Sequence, residues 1–203
     1  MEKRIWKPGT LIYPLPAVMV SCGDINGEMN ILTVSWTGTI CTNPPMCYIS
    51  VRPERHSYNM IKEHGEFVIN LTTEQLAQVT DFCGVKSGKE INKFEVCNLT
   101  PIAASQVKAP LIGESPLNIE CKVIEIKPLG SHDMFVAEVV AIHANENLFN
   151  PETDAFDLNA AQILAYSHGH YFGLGNKIGR FGYSVMKEKT KKRIRNAEGR
   201  NKK

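Results

Sequence analysis

The segment Arg52-Pro53-Glu54-Arg55-His56-Ser57 gathers two guanidinium groups, an imidazole and a hydroxyl into one short stretch. That is a donor set suited to an anion, because arginine presents paired N–H groups to a phosphate. The residues that follow, 57–64, are predicted to form a helix. The first N–H groups of a helix have no partner within it and favour negative charge. The competing reading is a solvated loop with Ser57 as a simple helix cap. A second candidate loop is Ser87-Gly88-Lys89 with Lys93-Phe94, where a glycine that permits close backbone approach stands beside two cations. Lys89 reads equally well as a surface residue. Thr33-Val34-Ser35-Trp36 sets two hydroxyls and an indole at the end of a predicted strand, against the alternative of ordinary strand residues and a core aromatic. His132 lies in Gly130-Ser131-His132-Asp133 and reads either as a site imidazole or as a turn histidine. His168-Gly169-His170 offers only two ligands of a usual metal set, so packing or exposure is expected there, and no metal.

The elements that must position these residues are mostly short strands. Residues 17–22 and 29–36 read as strands joined by Gly23-Asp24-Ile25-Asn26-Gly27, whose Asn-Gly pair tolerates positive φ, so a hairpin is expected. Asn43-Pro44-Pro45 breaks the chain before a strand over 46–51. The helix over 57–64 is ended by Gly65 and followed by a strand over 66–71. Residues 73–82 have apolar positions near helical spacing and are predicted as an amphipathic helix. Residues 117–126 alternate Ile119, Cys121 and Val123 with Glu120 and Lys122, then change phase; one extra residue near Val123-Ile124, a β-bulge, accounts for the change. Residues 134–144 are nearly all apolar and read as a strand buried on both faces. The expected fold class is mainly β with short helices, in a closed or nearly closed barrel.

The chain has 203 residues and a formal charge of +2, enough length for one domain with a real core. The charge is unevenly spread: residues 187–203 carry +7, which leaves a body of −5. A mildly acidic body argues against nucleic-acid binding. The tail reads as solvated, so the expected organisation is one domain over 1–186 and a basic tail over 187–203. No apolar run is long enough for a transmembrane helix. The N-terminus lacks the apolar stretch of a signal peptide, so a cytoplasmic location is expected. None of the six cysteines stands in a C-x-x-C spacing, and all are read as reduced.

Several segments in order resemble one family: residues 30–36; Asn43-Pro44-Pro45; Ser50-Val51-Arg52-Pro53-Glu54-Arg55-His56-Ser57; residues 65–70; Cys83-Gly84-Val85-Lys86-Ser87-Gly88-Lys89 with Lys93-Phe94; and Gly130-Ser131-His132-Asp133. The set is similar to the flavin reductase-like proteins with an FMN-binding split barrel, and within them to the flavoredoxin-like subgroup. The resemblance implies a six-stranded split β-barrel, a homodimer and FMN beside the dimer interface. It places the phosphate at Arg52, Arg55, His56 and Ser57, beside Ser50 and Val51. It places the flavin against Thr33, Val34, Ser35 and Trp36, with Cys83, Ser87, Lys89 and Lys93 on the glycine loop. It puts His132 on the nicotinamide side as the catalytic candidate, although Ser131 stands where many relatives carry aspartate. The implied activity is an FMN-dependent oxidoreductase moving electrons from NADH, NADPH or a protein donor to free flavin, a ferric complex or a redox partner protein. Two alternatives stand beside it: an electron carrier with no nicotinamide site, and a flavin-free barrel that binds a small ligand or a partner.

Overall fold

In the computed structural model, which describes residues 1–187 and 189–190, the chain forms one long antiparallel sheet and two small ones, with short helices packed on the long sheet. Strand β1 (Leu15–Pro16) leads into β2 (Val18–Gly23), β3 (Met29–Val34), β4 (Thr37–Cys41) and β5 (Met46–Val51). Helix α1 (His56–His64) and strand β6 (Glu66–Leu71) follow. Next come α2 (Ala77–Val85), α3 (Lys93–Val96) and the short pair β7 (Pro101–Ile102) and β8 (Leu111–Ile112). Two long strands, β9 (Leu117–Pro128) and β10 (Asp133–Ala144), precede a late hairpin, β11 (Leu164–Ser167) and β12 (His170–Gly173).

The main sheet has seven strands in the order β3-β2-β6-β9-β10-β5-β4, one more than the six-strand expectation. The additional strand is β4, which the sequence reading missed. The predicted strand 29–36 ends at Val34, and the chain turns at Ser35-Trp36 into β4. The sheet curls so that β3 comes against β5, and the chain passes from β3 to β4 through Ser35-Trp36; the Ser50 N–H donates to the Trp36 carbonyl at 2.8 Å and extends the β4–β5 ladder. Val20, Val34, Ile49, Val51, Phe67, Ile69 and Phe135 fill the enclosed interior. A side chain of this kind contributes about 1.5–3 kcal/mol when fully buried.

The predicted bulge is present and explains the change of phase. Val136 pairs with Glu125 and Ala137 with Val123, so Ile124 is the extra residue and points to solvent, while Ile119, Val123 and Ile126 pack on the interior. The hairpin of β2 and β3 also forms as expected. At its turn Gly23 has φ +93, and a Cβ there would stand 2.1 Å from the Glu28 carbonyl, so only glycine fits.

Two expectations need correction. In residues 134–144 only Phe135, Val136 and Ala137 are fully buried, and Ile142 is exposed, because among the described residues β10 packs mainly against its neighbouring strands β9 and β5. The predicted helix 73–82 is a 3-10 turn capped by Thr73, followed by α2, which runs on to Val85. The basic tail lies outside the described residues apart from Lys187, Lys189 and Thr190.

Among the described residues all six cysteines are free thiols, as expected. Cys47 and Cys121 bring their Sγ atoms to 3.5 Å inside the barrel, but β10 runs between their strands. Two strand spacings are about 9–10 Å, beyond the roughly 7 Å at which Cα atoms can carry a disulfide. Helices α2 and α3 pack outside β2 and β3, where Met19, Ile31, Cys83, Phe94 and Ile112 form a second core. That packing brings the 83–93 loop against the face of β3.

Candidate functional site

A cleft runs between β3, the β5–α1 loop and the loop after α2. Its first part, about 290 Å³, is lined by Asn30, Arg52, Arg55, His56, Ser57 and Lys93 among others. Its second part, about 540 Å³, is lined by Trp36, Asp81, His132, Tyr166 and Tyr171. Leu32, Thr33, Arg52, Arg55, Gly84 and Val85 line both, so the two parts form one groove.

The first part is cationic. Arg55 is the N-cap of α1, with extended backbone and no side-chain cap, and its Nη1 donates to the Gly84 carbonyl at 3.0 Å. Arg52 Nη1 donates to Glu54 at 3.1 Å, and His56 Nε2 lies 3.1 Å from Glu28. Ser57 is not the cap that the sequence suggested. It lies in the first turn of α1, fully buried, and its Oγ accepts from Asn30 Nδ2 at 2.8 Å. The helix start therefore keeps its N–H groups uncapped by any side chain and faces the cleft through His56 and Ser57.

Lys93 is only 3% exposed, yet it borders the cleft. Asn92 caps α3 and sets Lys93 at its first position. From there Nζ donates to the carbonyls of Ile31 and Cys83, each at 2.7 Å. Among the described residues no carboxylate pairs with it. Burial pulls its pKa below the ordinary lysine value; the nearby Cys83 thiol opposes this and Arg55 adds to it. A buried cation held only by neutral acceptors leaves charge for an anion to balance. Burial also pushes the Cys83 thiol up to about 12, so this cleft cysteine is a poor nucleophile near neutral pH.

Two glycines let the loop close on β3. A Cβ on Gly88 would meet the Asn30 amide at 2.2 Å, and one on Gly84 would meet Thr33 at 3.1 Å. Thr33 itself donates its hydroxyl to the Thr80 carbonyl, tying α2 to β3.

The second part is aromatic. Trp36 and His132 stack with ring centroids 5.9 Å apart and planes 26° from parallel. His132 Nδ1 lies 2.9 Å from Ser131 Oγ, so serine orients the ring here. Burial lowers the His132 pKa, the positive charges of Arg52 and Arg55 add to this, and Glu54 opposes it, which favours a neutral imidazole. Opposite stand Tyr166 and Tyr171, a cross-strand pair of the β11–β12 hairpin with centroids 5.6 Å apart. The Tyr171 hydroxyl donates to Asp81 at 3.2 Å; burial and that carboxylate push its pKa up to about 12.

Of the residues singled out by sequence, Thr33, Val34, Ser35, Trp36, Val51, Arg52, Arg55, His56, Ser57, Cys83, Ser87, Lys93 and His132 all border the groove. Ser50 and Lys89 do not. Ser50 extends the β4–β5 ladder through its backbone, and Lys89 is exposed beside a neighbouring hollow. The sequence reading passed over Asn30, Asp81, Tyr166 and Tyr171. His168-Gly169 supplies the available signal: φ values of 48° and 87° make it a tight hairpin turn, which sets Tyr166 opposite Tyr171. Among the described residues no group of metal-binding side chains is assembled, there or elsewhere.

A curled antiparallel sheet with a groove that is basic at one end and aromatic at the other defines a small-ligand protein of split-barrel type. The family model for the flavin reductase-like domain matches residues 10–175, and the chain belongs to that family. Among solved structures it is similar to a flavoredoxin of Desulfovibrio vulgaris (Miyazaki F), with a TM-score of 0.83 and 27% identity over 91% of this chain and 100% of that one. A flavoredoxin from Methanosarcina acetivorans aligns with a TM-score of 0.81 and 26% identity, covering 92% of this chain and all of that one. By sequence, an FMN reductase (NADH) of Pantoea ananatis is 21% identical over 131 residues, which cover 64% of this chain and 67% of its own length. Among the described residues no helix is long and apolar enough to cross a membrane.

Proposed function

We propose that the protein is an FMN-dependent oxidoreductase whose groove holds the flavin phosphate at the cationic end and the isoalloxazine ring at the aromatic end. The observation that carries this reading is Lys93: a buried ammonium, bordering the cleft beside two arginines and an uncapped helix start, with no carboxylate of its own. A phosphate dianion supplies the missing charge. The residues fit such a group, since the adjoining part of the groove offers indole, imidazole and phenol faces to a planar ring. When bound, FMN supplies the electron-transfer chemistry; the chain binds and orients it. In this arrangement Arg52, Arg55, His56 and Lys93 hold the phosphate, while Thr33–Trp36 border the ring. His132, stacked on Trp36 and favoured in its neutral form, meets the nicotinamide of NADH or NADPH.

The acceptor in this reading is free flavin, a ferric complex or a protein in the cytoplasm. A carrier without a nicotinamide site is the second reading. It draws on the flavoredoxin likeness and on Ser131, which cannot supply the charge of an aspartate to His132. A homodimer completes the proposal, because Glu138–Ala144 of β10 is left half-covered. Light scattering at micromolar concentration with FMN present tests that; a monomer refutes it.

The test of function is a fluorescence titration with FMN and riboflavin, followed by anaerobic mixing of the FMN-loaded protein with NADH and with NADPH. FMN binding tighter than riboflavin binding, followed by bleaching of the flavin spectrum, is the expected result. Binding of neither flavin refutes the reading. Binding without bleaching by either nicotinamide selects the carrier.

A further inference from the structure

The four basic side chains at the phosphate end are held in two ways. Arg55 and Lys93 donate to backbone carbonyls, which are neutral. Arg52 and His56 each face a carboxylate instead, Glu54 at 3.1 Å and Glu28 at 3.1 Å. The two acids arrive independently. Glu54 belongs to the same loop as Arg52, whereas Glu28 comes from the β2–β3 turn, where its carbonyl accepts from the Asp24 N–H at 2.9 Å.

Each pair has an exposed carboxylate. The side chains of Arg52 and Glu54 are 52% and 64% exposed, and Glu28, 71% exposed, faces a His56 that is 21% exposed. Exposed ion pairs contribute little to stability. Their position matters more: Arg52, Glu54 and His56 all line the phosphate end of the groove. An arriving phosphate meets Glu54 inside that end, while Glu28 reaches it from the neighbouring hollow through His56; both carboxylates already hold side chains it needs, and their charge opposes its own.

We propose that Glu54 and Glu28 are tethered competitors for the flavin phosphate, each holding a basic side chain that the phosphate would otherwise engage, so that the flavin exchanges rather than staying locked in place. The proposal rests on the flavin reading of the groove. Binding swings each carboxylate off its partner, and release lets it return. Riboflavin, which has no phosphate, is indifferent to both acids.

The experiment compares full-length wild type with Glu54→Gln, Glu28→Gln and the double variant. Glutamine keeps the shape and removes the charge. FMN and riboflavin affinities are read by flavin fluorescence, FMN release by stopped flow, and folding by circular dichroism. Each single variant is expected to bind FMN about threefold tighter and the double about tenfold tighter, through slower release, with riboflavin within about twofold of wild type. FMN affinity that stays the same or falls in the folded variants overturns the proposal. Equal tightening of FMN and riboflavin also overturns it, because the effect would then lie at the ring. If wild type and all variants bind neither flavin, the flavin reading itself fails.

Discussion

Glu120 and Lys93 are both buried charges, 0% and 3% exposed, yet the fold treats them in opposite ways. Glu120 on β9 accepts from the Ser105 N–H and Oγ at 2.7 Å each, from the N–H groups of Gln106 and Val107, and from His143 Nε2. Its partners all come from the protein, and they hold the 105–107 loop against the barrel. Burial alone would raise its pKa, but the Ser105 donors, His143 and the Gln106 N–H reverse that and bring it from 4.5 to about 2. Lys93 has two neutral acceptors and opens onto a groove. A charge that the fold satisfies completely is structural; one left without a counter-ion beside a cavity marks a ligand site.

The sharpest break of this comparison is Glu120→Ala. It strands several donors, so it should destabilise the fold by about 3–5 kcal/mol in chemical denaturation. Flavin affinity of the molecules that remain folded should be unchanged; a selective loss of affinity would erase the distinction. The wild-type contribution has a defined pH window. A depressed carboxylate pKa stabilises above the ordinary value and loses that effect as pH falls, here from about 4.5 to about 2. About 3 kcal/mol should disappear over that range in wild type and much less in Glu120→Gln.

Lys93→Met should do the reverse. Removing a charged donor to phosphate costs about 1.5–3 kcal/mol, so FMN should bind about ten- to a hundredfold more weakly, with riboflavin little affected. Stability should change less than in Glu120→Ala. The wild-type protein should also lose FMN affinity as pH rises through the lowered Lys93 pKa, since the anion is held by the charged lysine. A flat pH profile below 10.5 would contradict that assignment.

At the aromatic end, His132→Ala should slow reduction by NADH or NADPH about tenfold to a hundredfold through lost orientation, with FMN affinity within about twofold. Equal rates in both proteins would remove His132 from the reaction. The smallest effect belongs to the basic tail: truncation after Met186 should leave FMN affinity unchanged in the same titration, because that segment carries no strong apolar stripe to add to the core.

The hairpin of β2 and β3, the Gly65 stop after α1 and the bulge at Ile124 were legible in the sequence, because each follows from local backbone chemistry: positive φ, or a period-two pattern that slips by one. The cations of Arg52–His56 were legible for the same reason, being neighbours along the chain. What sequence could not determine is which donors are free. Glu28 meets His56 across 28 positions, Asn30 takes up Ser57 across 27, and Tyr171 reaches Asp81 across 90. Lys89 and Lys93, four residues apart, look alike as letters, yet one is exposed and the other is buried with its charge unbalanced. The packing of α2 and α3 on β3 makes that difference, because burial and pairing depend on distances through space that local pattern does not encode.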